Sequence, residues 1–307
     1  MVEHRRDLVG YGQNPPDIRW PGGARLALNF VLNYEEGSEY SMADGDGRSD
    51  AALTEVAQPR VPSGQRDLGA ESMFEYGSRV GFWRLHRFFQ DRNLPVTVFA
   101  SALALERNPE VAKAVAASDW DVVAHGRRWI EHYLLDEATE RKEIARAYES
   151  IRDLVGRAPE GWYCRYAPSR NTRRLVVEHG GFSYDSDAYN DELPYWLTVG
   201  DRAHLVVPYS LVTNDAKLVG GPLVSGRTFG DFLIDAFEEL VAESDVHPRM
   251  MSVGMHARIL GQPARIRGLR SFVDHVEGRD DVWICRRGDL AAHWRAQVPP
   301  PKGAVAP

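Results

Sequence analysis

Alternation constrains this chain more than any other feature, because short apolar, β-branched runs recur with amphipathic stretches between them along most of its length. The candidate strands are residues 26–32, 96–100, 121–124, 161–164, 182–185, 204–208, 250–256 and 282–285. The candidate helices are 77–91, 109–118, 136–155, 171–180, 228–243, 264–277 and 289–294. Within them apolar residues return every three or four positions, as Phe229, Phe232, Leu233, Ala236, Phe237 and Leu240 do, so each helix buries one stripe. Strands that alternate with helices pair in parallel, so the order predicts an α/β fold, a (β/α) barrel of seven or eight units. No repeat, low-complexity tract or linker marks a second domain. The expectation is one domain over residues 1–307, with a Pro- and Gly-punctuated arm over 1–24 and a long polar loop over 38–75. A loop of that length is usually a lid, a binding loop or a subunit contact.

The formal net charge of -7 argues against nucleic acid or an anionic membrane as partner, since either needs a basic face. Cys164 and Cys285 are too few for a disulfide framework and form no CxxC pair. The first ten residues carry Glu3, Arg5, Arg6 and Asp7 with no apolar core, so neither a secretory signal nor a membrane span is expected there. These features predict a cytoplasmic protein acting on a small molecule.

A parallel barrel gathers its chemistry at the carboxyl ends of its strands. The first apolar run ends in Glu35 and Glu36, and two carboxylates held close together cannot both ionise cheaply, so one should have a raised pKa. His125, Arg165, Asp185, Asp187 and His256 stand at or just after the ends of other strands, and a closed barrel brings such groups together. His125 opens the run His-Gly-Arg-Arg-Trp-Ile-Glu-His. A zinc pair on one helical face would need a second histidine one turn on, where Trp129 stands. The spacing therefore argues against a complete metal site, whose conceivable ligands would be Glu36, His125 and His132. Arg165 can orient a carboxylate or donate to an amide oxygen. Tyr189, Tyr195 and Trp196 among the acids of 184–196 suit the walls around a small polar ring or sugar, or else are core beneath a loop. Tyr209 and the pair Asn214-Asp215 are weaker candidates of the same kind.

Read in order, Asn33-Tyr34-Glu35-Glu36-Gly37, His125-Gly126-Arg127-Arg128-Trp129, the 165–168 turn, Tyr184-Asp185-Ser186-Asp187 and Met251-Ser252-Val253-Gly254-Met255-His256 resemble the motifs of the polysaccharide deacetylase superfamily. The resemblance is nearer still to its cofactor-independent bacterial allantoinase branch, through blocks such as Glu75-Tyr76-Gly77-Ser78-Arg79 and Asp191-Glu192-Leu193-Pro194-Tyr195-Trp196. It implies a distorted, incomplete (β/α) barrel, an oligomer of identical subunits, and a role in purine or carbohydrate breakdown. By the same likeness Glu35 stands at the catalytic base, Glu36 at the metal-binding acid, His125 at the first metal histidine, Trp129 at the second, and His256 at the late general acid. Arg165-Tyr166-Ala167-Pro168 departs toward the deacetylase pattern, and His132 is a second departure.

The expected function is hydrolysis of a non-peptide C–N bond in a small cyclic amide or ureide, with Glu35 activating water, His256 protonating the leaving nitrogen, and His125 with Arg165 holding the oxyanion. Glu36, Trp129, Asp185, Asp187, Tyr189, Trp196 and Asn214 are the expected substrate contacts. The alternative is N-deacetylation of an acetylated sugar or other small amide. No cofactor is expected under the first reading, and a divalent metal such as zinc is the option under the second.

Overall fold

The strands observed follow from where the apolar residues lie. In the computed structural model, which describes residues 6–165, 167–223 and 225–305, they are β1 (Leu26–Tyr34), β2 (Thr97–Ala100), β3 (Asp121–Ala124), β4 (Gly161–Trp162), β5 (Tyr184–Asp185), β6 (Tyr195–Val199), β7 (Arg202–Val206), β8 (Arg249–His256) and β9 (Val282–Ile284). All nine residues of β1 are buried, as expected of a strand covered on both faces of a parallel sheet. β8 flanks residues 26–33 of β1, while β9 takes residues 26–28 and β2 takes residues 31–34 of its other side. The sheet runs β6-β7-β5-β4-β3-β2-β1-β8, with β9 attached to β1. Every pairing is parallel except β6 with β7. The sheet curls into a half-barrel; among the described residues β7 and β8 do not pair, and at this seam the chain after β7 meets β8 through the isolated bridge between Asn214 and Gly254 and the bond from Thr213 Oγ1 to Ser252 O.

Two apolar layers hold this sheet. Leu26, Leu28, Phe30, Leu32 and Tyr34 face the outer helices, including Phe82–Gln90, Glu137–Val155, Gly226–Glu243 and Ile266–Val276. Ala27 and Val31 face inward, against Phe99, Tyr163 and Tyr209. Burial of this kind is worth about 1.5–3 kcal/mol for each large apolar side chain.

Two readings of the chain need correction. The polar segment 38–75 is not all loop, because a helix spans Leu68–Tyr76: Asp67 caps it, accepting from Ala70 N, and Ala70 and Phe74 bury one face. β6 was missed, since Tyr195–Val199 is half-exposed and reads as a loop; Gly200, at φ 65°, closes it onto β7 in a two-residue turn. No described helix is long and apolar enough to cross a membrane.

Candidate active site

Period-two alternation decides which of the two adjacent carboxylates enters the barrel. Ala27 and Val31 point inward, as does Asn33, whose Nδ2 donates to Met255 O at 3.1 Å and Tyr209 Oη at 3.2 Å, and the next inward position is Glu35. Glu36 turns toward the helix layer. A Cβ at Gly77 would come within 2.4 Å of Glu36 Oε1, so only glycine lets that helix approach so closely. The seam has a similar requirement: a Cβ at Gly254 would lie 2.2 Å from Asn214 Nδ2 and 2.3 Å from Tyr209 Oη.

Glu35 lines a cavity of about 370 Å³, together with Asn33, Leu53, His125, Trp129, Tyr163, Arg165, Tyr209, Asn214, Lys217 and His256. β3 delivers His125, whose Nε2 is 3.0 Å from Glu35 Oε1 and whose Nδ1 is 3.2 Å from the Tyr163 carbonyl. β8 delivers His256, whose Nδ1 meets Asp215 Oδ1 at 2.6 Å and whose Nε2 stands 3.6 Å from Glu35 Oε1. Asp215 also accepts from His256 N at 2.7 Å and Leu260 N at 3.1 Å, which fixes both the acid and the ring it orients. Behind Glu35, Arg258 Nη2 donates to Oε2 at 2.7 Å.

These contacts set the charges. Burial alone would push the Glu35 carboxyl up, but Arg258, His256 and the bond from His125 hold it far below the usual carboxylate range, so it is ionised at neutral pH. Glu36 goes the other way: burial and the charge of Glu35 raise it against the pull of Arg258. The adjacent pair splits as expected, with Glu36 the raised member. Burial would lower His256, but Asp215 and Glu35 beside it outweigh that and leave it raised.

Of the side chains expected at the site, Glu35, His125, Trp129, Arg165, Asn214 and His256 share the cavity. Arg165 does so with Nη1 on Asp50 Oδ2 at 2.6 Å and on the Trp129 carbonyl at 3.1 Å, its guanidinium stacked 3.8 Å over the Trp129 ring. Glu36 lies behind the wall. Asp185 is bound to Arg173 at 2.7 Å and His204 at 2.9 Å under β5 and β7, and Asp187 accepts from Cys164 N at 2.9 Å. Tyr189 reaches the cavity only through its 2.9 Å bond to Tyr163 Oη. Trp196 sits on β6 and donates to Val298 O at 2.9 Å, so it is a strut of the hairpin and not a cavity wall.

The conceivable metal ligands do not converge. His132 is bound through Nδ1 to Glu140 at 3.2 Å, His125 to Glu35, and Glu36 to Arg258 at 3.3 Å. Among the described residues, no group of three or more His, Cys, Asp or Glu is arranged to hold a metal ion. With Trp129 unable to ligate and a guanidinium on both carboxylates, the donor set does not fit a divalent ion. Arg258 was missed altogether, although it follows the strand-end His256 by two residues; that proximity was the available signal.

Asp187 gives a test of the buried acids beside the site. Burial, then the charge of Asp185, raises it from 3.8 to about 7. Its contribution to stability is complete below the unfolded value and is lost as pH rises through the folded one, a window from about pH 4 to about pH 7. Asp187→Asn keeps an oxygen for Cys164 N and removes the charge. Its Tm should match the wild type near the acid end of that window and exceed it above the alkaline end; a lower Tm there would contradict the assignment.

The polysaccharide deacetylase family model matches residues 69–184. A Schizosaccharomyces pombe protein named putative polysaccharide deacetylase is 36% identical over 314 residues, covering 96% of this chain and 98% of its own. The chain belongs to the polysaccharide deacetylase family. A solved structure described as a probable polysaccharide deacetylase from Pseudomonas aeruginosa is 47% identical, with a TM-score of 0.91 over 96% of this chain and 99% of that one. The structure of PuuE allantoinase is 44% identical, with a TM-score of 0.92 over 97% and 99% of the two chains. This family member is a hydrolase acting on C–N bonds other than peptide bonds.

Proposed function

We propose that the chain opens a small cyclic amide or ureide, allantoin-like, by adding water across a ring C–N bond. The observation that carries this is Glu35 Oε1 standing 3.0 Å from one imidazole and 3.6 Å from another in the wall of the cavity. That gives a base, an oxyanion donor and a proton donor around one point. Glu35 takes a proton from water as the oxygen attacks the carbonyl carbon. His125 Nε2 donates to the developing oxyanion. Arg165 Nη1 already serves Asp50 and the Trp129 carbonyl, so its part is to hold the aromatic wall. His256, oriented through Nδ1 by Asp215, gives a proton to the leaving nitrogen; the C–N bond breaks and a linear acid with a free amino or ureido group results.

Three features support a ring over a polymer. The cavity, at about 370 Å³, is near the lower end of small-molecule sites and suits one ring better than a run of sugars. Trp129, Tyr163 and Tyr209 make part of its wall aromatic, as suits a small ring. The full-length likeness to an allantoinase adds to these. The second reading, N-deacetylation of a small acetylated substrate, is favoured by the matched family model and by the name of the yeast relative. Product analysis separates them. With allantoin, hydantoins, cyclic imides and N-acetyl sugars as the panel, the first reading expects linear acids from the rings and no acetate; acetate from the sugars alone would reverse the choice.

A further inference from the structure

Arg258 is a deeply enclosed charge beside the cavity, with its side chain 1% exposed. It does not line the cavity, yet it touches both acids: Nη2 meets Glu35 Oε2 at 2.7 Å and Nη1 meets Glu36 Oε1 at 3.3 Å. Its Nε donates to Leu53 O at 2.9 Å, and Leu53 holds a left-handed φ of 56°. The guanidinium lies 4.7 Å from the Phe74 ring and 4.9 Å from the Trp129 ring. A planar fork of donors is thus clamped between two carboxylates, a backbone carbonyl and two aromatic faces.

We propose that Arg258 is the built-in cation of this site: its guanidinium fills the place between Glu35 and Glu36 where two buried carboxylates demand positive charge, and so keeps a divalent ion out. It also acts as a positioning residue, fixing Oε2 of Glu35 so that Oε1 stays on the two imidazoles. This second part rests on the reading of Glu35 as the base. The physical case is one of charge and shape. Two adjacent buried carboxylates need a counter-charge. Arginine supplies it permanently, and its fork serves both acids and the Leu53 carbonyl together, which a lysine ammonium could not do as rigidly. Removing the guanidinium frees the three oxygens it holds, on Glu35, Glu36 and Leu53, and oxygen donors around one vacated space are what a divalent ion would take.

The test is titration of Arg258→Gly and of the wild type with zinc chloride by calorimetry, and with cobalt(II) by its visible absorption, neither of which needs the true substrate. The proposal expects one equivalent bound by the variant and none at this site in the wild type. It also expects the variant's kcat to fall on the order of 10²-fold, with recovery when guanidinium is added to the assay. Stoichiometric metal at Glu35 and Glu36 in the wild type, or a folded variant that binds no metal and keeps its rate, would overturn it. If Arg258→Gly does not fold, Arg258→Lys decides: the charge remains and the fork is lost, so it should stay metal-free with a lowered kcat and little change in KM. A wild-type kcat in Arg258→Lys would refute the positioning role. Failure of every substrate in the panel would leave the metal titrations standing, so the two proposals fail separately.

Discussion

Glu35→Gln should lower kcat by about 10²–10⁴-fold, the usual contribution of general base catalysis, while the protein stays folded. The loss follows from the geometry, because among the described residues Glu35 is the carboxylate that lines the cavity with both imidazoles against it. Glutamine keeps the shape and the acceptor for Arg258 but cannot take a proton from water. Breaking a buried ion pair from one side often costs about 3–5 kcal/mol. Here the cost is moderated, since Glu36 remains 3.3 Å from Arg258 and loses the neighbouring charge that helped to raise it. Glu36 therefore stays on the guanidinium as its partner in the variant. The check is kcat on the substrate found in the panel, beside thermal unfolding; a near-normal rate in a folded variant means the base is elsewhere.

The second large effect is expected at Asp215→Asn. Asp215 Oδ1 accepts from His256 Nδ1 at 2.6 Å, while Oδ2 takes the backbone N–H groups of His256 and Leu260. The asparagine oxygen can still serve those two N–H groups, which turns its NH₂ toward Nδ1. The ring then carries its single proton on Nε2, and giving that proton away would leave an imidazolate. kcat should fall by about 10²–10⁴-fold, as for loss of a general acid. The pH profile gives the sign. His256 is raised by Asp215 and Glu35 against burial, so its protonated form, and with it kcat/KM, is lost as pH climbs through that raised value. Asp215→Asn should move the alkaline limb to lower pH. A profile that falls in height without shifting would assign Asp215 a structural role only.

The sequence revealed the barrel because parallel strands covered on both faces are written as unbroken apolar runs, and β1 is the clearest case. β6 is hard to read because a half-exposed antiparallel hairpin has no such signature, and Trp196 fits either a cavity wall or a packed strut because a ring looks the same in either role. Its indole bond goes to Val298, 102 residues away, a pairing that no local pattern carries. Strand ends bring Glu35, His125 and His256 into one cavity, since the period of two aims Glu35 inward and parallel pairing gathers the ends. Asp185 and Asp187 also follow a strand end, but Arg173 and His204 capture the first and the Cys164 backbone the second. The role of Arg258 is faint in the sequence, where its place two residues after a strand end is the one signal: it meets Glu35 across 223 residues, and only the folded sheet sets β8 beside β1.

The most direct measurement is the steady-state rate of chelator-stripped protein, verified metal-free by elemental analysis, on the cyclic amide it turns over best. Built on Glu35, two imidazoles and the guanidinium of Arg258, the site should retain its full kcat after stripping and gain nothing from added zinc. Activity that vanishes on stripping and returns only with zinc would contradict the account.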